Sequence, residues 1–113
     1  MRKSYRIKKP EDFQKVIKRH QSVANKYFIV YQLTQDAPHF RLGLSVSKKI
    51  GKAHERVWVK RRIRQTFLEL KPVLPNNLDI VVIARPAVAL QSQAFIKEQL
   101  VHVLHLAKIL ADN

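Results

Sequence analysis

The chain has 113 residues, 46% of them hydrophobic, which suits one domain with a real core and excludes both two domains and disorder throughout. Its 22 Lys and Arg against 8 Asp and Glu give a net charge of +14, a self-repulsion that makes a polyanion the expected partner. There is no cysteine, so a disulfide framework and a thiolate zinc site are excluded.

No apolar h-region follows the basic residues 1–9, and the longest apolar run, residues 80–84, is far too short to span a bilayer. A soluble, cytoplasmic protein without a membrane partner is therefore expected. No repeat, low-complexity tract or linker interrupts the chain, so a single domain is expected over residues 1–113. Residues 1–9 are expected to form a loosely ordered basic arm until something binds them.

Pro10 fixes φ for a helix start, and Glu11 and Asp12 put carboxylates at the positive end of the dipole. Phe13, Val16 and Ile17 follow at helical spacing, which predicts a short helix over residues 10–19. Residues 27–33 are β-branched and aromatic and read as a strand. Asp36 and Pro38 mark a turn. Phe40, Leu42, Leu44 and Val46 then alternate with Arg41, Gly43 and Ser45, a period of two that predicts a second strand with one buried face. The two strands and their short loop are expected to pair as an antiparallel hairpin.

Gly51 breaks the chain, and a long helix is predicted over residues 53–70, stopped by Pro72 and Pro75. Val59, Ile63, Thr66, Phe67 and Leu70 form its core-facing stripe. The continuous apolar run within residues 79–85 predicts a central strand covered on both faces. Ser92 can cap a final helix along which Ile96, Leu100, Val103, Leu104, Ala107 and Leu110 repeat. These elements make an α+β sandwich, with helices packed against a small central sheet.

The most informative stretch is residues 48–64. It holds Lys48, Lys49, Lys52, Arg56, Lys60, Arg61, Arg62 and Arg64 against one acid, Glu55. Arg56, Lys60 and Arg64 form a row at i, i+4 and i+8 beside the apolar stripe, with Arg61 nearby. Like charges so stacked destabilise a bare helix by a few tenths of a kcal/mol per pair, about 0.2–0.5. Phosphates opposite the row explain it better than a merely solvated face, because the preceding strand anchors the helix to a core. The amides at the helix start could help hold a phosphate.

Residues 40–53 (Phe-Arg-Leu-Gly-Leu-Ser-Val-Ser-Lys-Lys-Ile-Gly-Lys-Ala), with Arg56 and residues 60–64 (Lys-Arg-Arg-Ile-Arg), resemble the signature of the bacterial ribonuclease P protein component family. Residues 12–16, 22–25 and 83–86 are similar to the same family, so the resemblance runs in order along nearly the whole chain. It implies a single RNA-binding domain with an αβββαβα fold and an unusual left-handed crossover through the long helix. The short extra strand of that order falls near residues 22–24.

The resemblance further implies the protein subunit of an endoribonuclease that removes the 5′ leader of precursor tRNA, with catalysis in a partner RNA. Lys48, Lys49, Lys52, Arg56, Lys60, Arg61 and Arg64 would bind the catalytic RNA subunit. Phe13, Ile17 and Tyr31 occupy the family's cleft positions for the single-stranded leader, where aromatic faces accept bases with little sequence preference. For Phe13 and Ile17, ordinary helix–sheet packing is an equal reading. No obligate protein partner is evident.

Two departures stand out. Val57 replaces the family's usual Asn in the long helix, and Trp58 replaces a residue that is often basic. On the wheel Trp58 lies well off the core stripe, open to stacking on a base or a guanidinium or to exposure without a ligand. His20 replaces a glycine after the first helix, which leaves the ending of that helix open.

No catalytic or metal-binding constellation is legible in the sequence. The acids are scattered, and His102 and His105 point away from the apolar stripe of the last helix without acids near them. The expectation is no catalytic residue, no metal ligand and no cofactor on this chain, with Mg2+ for the holoenzyme held mainly by RNA. A structural RNA binder such as a ribosomal protein is the alternative. A helix-turn-helix reading fails because a strand and basic loop, not a helix and tight turn, precede the long helix.

Overall fold

The computed structural model describes residues 2–19 and 21–111. Its elements are α1 (Pro10–Lys18), β1 (Ser22–Ala24), β2 (Phe28–Thr34), β3 (Arg41–Val46), α2 (Ala53–Leu70), β4 (Leu78–Ala84) and α3 (Gln93–Leu106). Short 3-10 turns lie at Lys3–Tyr5, Lys71–Val73 and Pro86–Val88. The order αβββαβα is the one the resemblance implied, with the short extra strand at residues 22–24. The helix end near His20 lies outside the described residues.

Local chemistry sets the boundaries. Pro10 occupies the first turn of α1, ahead of Glu11 and Asp12. At the start of α2 the Glu55 carboxylate accepts the Lys52 backbone N–H at 3.2 Å. A Cβ on Gly51 would lie 2.6 Å from Glu55 Oε2, so a larger residue there would push the carboxylate away from its capping position. Ser92 Oγ accepts the Phe95 N–H at 3.1 Å and starts α3. That helix stops at Leu106, earlier than the repeat through Leu110 suggested. Lys108 turns left-handed at φ 60 and the Ile109 N–H returns to the Leu104 carbonyl at 3.0 Å, a Schellman-type ending. Leu110 is buried by this turn rather than by helix.

Among the described residues the strands form one sheet in the order β1-β2-β4-β3. The expected hairpin between β2 and β3 is therefore not formed. β4 lies between them, antiparallel to β2 and parallel to β3. The reason is burial: Ile80, Val81 and Val82 are all 0% exposed, and only the centre of the sheet covers both faces of such a strand. Long α2 is the crossover that parallel pairing requires.

On one face, Phe28, Val30, Leu42, Ile80 and Val82 pack with Val59, Ile63 and Phe67 of α2 and with Ile96, Leu100 and Leu104 of α3. The opposite face carries α1. Tyr31, Val81 and Gly43 are cross-strand neighbours on that face. A Cβ on Gly43 would come within 2.9 Å of Phe13 Cδ2, so the missing side chain lets the Phe13 ring settle on β3. Arg41 pins this side with two hydrogen bonds to Asp79, at 2.8 and 2.6 Å, and an ion pair to Asp12 at 3.6 Å.

Residues 2–9 of the N-terminal segment run beside the outer edge of β3. Arg6 bridges Leu42 in parallel, and the Ile7 N–H donates to the Leu42 carbonyl at 3.0 Å. Tyr5 stacks on His39 with ring centroids 3.8 Å apart, and the Lys71 ammonium lies 4.4 Å over the Tyr5 ring. The outer edge of β3 is otherwise unpaired, and a backbone strap with an aromatic anchor satisfies it. No helix among the described residues is long and apolar enough to cross a membrane.

Candidate nucleic-acid interface

The α2 stripe of Val59, Ile63, Thr66 and Phe67 is buried, which fixes the helix rotation and turns the basic row outward. Arg56, Lys60 and Arg64 are half-buried along one flank, and Arg61 is exposed beyond them. Arg56 Nη1 also donates to the Gly51 carbonyl at 3.1 Å, strapping the helix to its entry loop. Lys48, Lys49 and Lys52 are exposed in that loop, whose turn closes with the Ile50 N–H on the Ser47 carbonyl at 3.1 Å.

Arg61 and Arg64 share an open hollow of about 450 Å³ with a residue the sequence reading did not assign, Arg6. Partial burial, and then the charge of Arg6, hold the Arg64 guanidinium below the ordinary arginine range. It remains a cation under any physiological condition. Three like charges brought together without an acid among the hollow's lining residues favour an anion there. Arg6 was illegible as a site residue because its placement depends on the docked arm.

Trp58 lies on the other flank of α2, 37% exposed, with the Arg62 guanidinium 4.9 Å from its ring centroid. Of the alternatives the sequence left open, a guanidinium stack is the one formed within the chain.

The second surface lies on the α1 side of the sheet. Phe13, Ile17 and Tyr31 are all half-buried. Phe13 sits on Gly43, and Tyr31 stands at the far end of the same cross-strand row, with Val81 between. Strand spacing puts the two backbone positions about 9.5 Å apart. Phe13 is thus a packing residue, yet its ring also lines an open hollow of about 230 Å³ with Ile7, Lys8, Lys9, Pro10 and Gln14. β3 leaves the sheet toward Lys48 and Lys49 at the end where β4 reaches Arg85. Cations therefore stand at one end of this face.

Four of the eight acids are engaged with cations or a cap. Asp12 and Asp79 hold Arg41, Glu55 caps α2, and Glu69 meets Lys97 at 2.7 Å. The Lys97 hydrogen bond, then that of Gln65, holds the Glu69 carboxyl below its usual range. His102 Nδ1 lies 3.2 Å from Asn25 Nδ2. Among the described residues no three His, Cys, Asp or Glu gather as metal ligands would.

A sandwich with a cationic helix on one face of its sheet and a half-open aromatic surface on the other is a small RNA-binding α+β protein. A profile of the family described as Ribonuclease P matches residues 1–108. The ribonuclease P protein component of Leuconostoc mesenteroides subsp. mesenteroides is 69% identical, over 100% of this chain and 98% of that one. A Staphylococcus aureus RNase P protein mutant with defective mRNA degradation activity has a TM-score of 0.88 and 46% identity, covering 95% of this chain and 91% of that one. The RNase P protein from Thermotoga maritima has a TM-score of 0.80 and 32% identity, covering 95% and 98%. The chain belongs to the ribonuclease P protein family and is a subunit of an endoribonuclease of tRNA processing.

Proposed function

We propose that the chain binds the catalytic RNA subunit of ribonuclease P through α2 and its entry loop, and the 5′ leader of precursor tRNA through the α1 side of the sheet. The reading rests on one observation above the others: two chemically different surfaces lie on opposite faces of one sheet. Lys48, Lys49, Lys52, Arg56, Lys60, Arg61 and Arg64 supply phosphate contacts, and Arg6 joins them through the docked arm. Phe13, Ile17 and Tyr31 offer apolar and aromatic surface to successive leader bases.

Catalysis belongs to the RNA subunit in this reading. Asp12, Asp79 and Glu69 already hold cations, and among the described residues no three potential ligands gather, which supports magnesium being held by RNA. RNA phosphates are the better hard-oxygen ligands.

The reading is tested by reconstitution with the RNA subunit. The protein is expected to lower the magnesium and salt concentration needed for cleavage at the mature 5′ end. Alone with precursor tRNA and magnesium, it is expected to cleave nothing there. Because the S. aureus neighbour is a mutant defective in mRNA degradation activity, the protein-alone arm is run on an mRNA as well. Cleavage at the mature 5′ end that follows the protein through purification would place catalysis on this chain.

Removing Lys60 or Arg61 is expected to weaken RNA-subunit binding without unfolding the chain, since neither side chain is in the buried stripe. Each lost phosphate contact should flatten the slope of log K against log salt by up to ~0.9, the duplex value. Unchanged slopes in both variants would remove these residues from the interface.

A further inference from the structure

On the flank of α2 away from the basic row, a hollow of about 500 Å³ opens between the helix and the turn that leads into α3. The buried Ile50 and Val59 and the half-buried Ala89 line it, and Trp58 and Leu90 stand at its sides. His54, Glu55, Gln91 and Ser92 contribute polar groups to the same lining, the Glu55 carboxylate being engaged by the Lys52 N–H. Its size falls within the roughly 300–1,000 Å³ of small-molecule sites. Leu90 is 91% exposed and adopts φ 64, a backbone region that residues with side chains rarely enter. A strained, solvent-facing leucine beside a half-exposed indole is an unusual arrangement for a surface with nothing to bind.

We propose that this hollow takes an unpaired nucleobase of the RNA subunit, stacked on the free side of Trp58. This rests on the RNA-binding reading of α2 given above and extends it to a second flank of the helix. Three observations select a base over an apolar protein segment. The Arg62 guanidinium already covers the indole at 4.9 Å, and an aromatic ring backed by guanidinium is a favourable platform for an unstacked base. The chain carries a net charge of +14, and the exposed Lys52 caps α2 beside Glu55 with its backbone N–H on that carboxylate, so a nucleotide's phosphate is compensated at this end of the helix, where an apolar partner would leave the cations unpaired. His54 and Gln91 can bond the edge of a base whose face is held by Trp58. The RNA subunit is chosen over the leader because Trp58 shares its helix with the basic row, whereas the leader surface is across the sheet.

Trp58 is the single tryptophan of the chain, so its emission reports on this hollow alone. The native protein is titrated with transcribed ribonuclease P RNA, and separately with a single-stranded leader oligonucleotide. Quenching that saturates at one RNA subunit per protein is expected, with little from the oligonucleotide. Trp58→Ala is expected to weaken RNA-subunit binding about five- to 150-fold, the loss of one base–aromatic stack, and Trp58→Phe to keep most of the affinity. Leu90→Gly relieves the strained φ, so it should leave the thermal midpoint level or raised while lowering RNA affinity. A purely structural leucine would not show that split.

Native RNA affinity in Trp58→Ala, with unquenched native emission, would overturn the proposal. So would quenching by the oligonucleotide alone, which assigns the hollow to the leader. Dimerisation abolished by Leu90→Ser would likewise overturn it and assign the hollow to a second copy. If the native protein does not bind the RNA subunit at all, the RNA-binding reading of α2 fails first and takes this inference with it.

Discussion

Replacing Arg41 by alanine is expected to cost about 3 kcal/mol of folding stability, the lower end of the ~3–5 kcal/mol for breaking a buried ion pair. Asp79 is only 3% exposed and sits at the start of the interior strand β4, with both carboxylate oxygens bonded to Arg41. Removing the guanidinium strands that charge in a low-dielectric site. The lower end applies because the Arg41 side chain is itself 28% exposed and water would partly replace it. The hydrogen bond to Asp79, opposed by burial and then aided by the charges of Asp79 and Asp12, raises the Arg41 pKa above its ordinary value. Its cationic form is therefore favoured by the fold.

Urea unfolding checks this: the midpoint should fall with an unchanged slope. Arg41→Lys should recover part of the loss, since it restores charge without the planar fork. The double change Arg41→Met with Asp79→Leu should lie closer to the native protein than Arg41→Ala does, because no unpaired charge remains. A loss below about 1 kcal/mol in Arg41→Ala would mean that the pair behaves as a surface salt bridge. Because Arg41 also meets Asp12 at 3.6 Å, the same variant should loosen α1 from the sheet and blunt leader binding.

Local signals carried most of the elements. The α2 stripe, the Ser92 cap and the Pro10 start each depend on residues within one or two turns, and the helices begin where those residues predict. Strand partnership was not legible in the same way. Period-two alternation in residues 40–46 says which face is buried, but says nothing about which strand lies alongside. The answer came from residues 78–84, about thirty positions later, whose two-sided apolarity claims the centre of the sheet. The contacts of the N-terminal arm were not legible because its lysines and arginines conceal Tyr5, and because the free edge of β3 exists only once β4 has taken the other side.

The site divides along the same line. The cationic row of α2 follows from a helical wheel, so Arg56, Lys60, Arg61 and Arg64 could be found without coordinates. Arg6 could not, since it reaches Arg64 only through the docked arm. Nor could the hollow beside Trp58, four of whose nine lining residues come from residues 89–92. For Phe13 the two readings prove compatible, because Gly43 accepts one side of the ring and the rest lines an open hollow.

The surface proposed for the leader carries the larger functional prediction. Tyr31 is half-buried on β2, in register with Val81 and Ser22, on the face that α1 covers only in part. If its ring stacks on a leader base, Tyr31→Ala removes one stack, worth ~1–3 kcal/mol or about five- to 150-fold in affinity. The change lies across the sheet from α2, so assembly with the RNA subunit should survive. Thermal melting identifies any loss of packing, since a partly buried tyrosine also contributes to the fold.

The most direct measurement is therefore the affinity of the reconstituted holoenzyme for precursor tRNA and for mature tRNA, with the native protein and with Tyr31→Ala. The native holoenzyme is expected to prefer the precursor, and Tyr31→Ala to lose that preference by about five- to 150-fold while mature tRNA binds as before. Equal weakening for both RNAs with an unchanged melt, or a native holoenzyme that does not distinguish them, would contradict a leader-binding role for this chain.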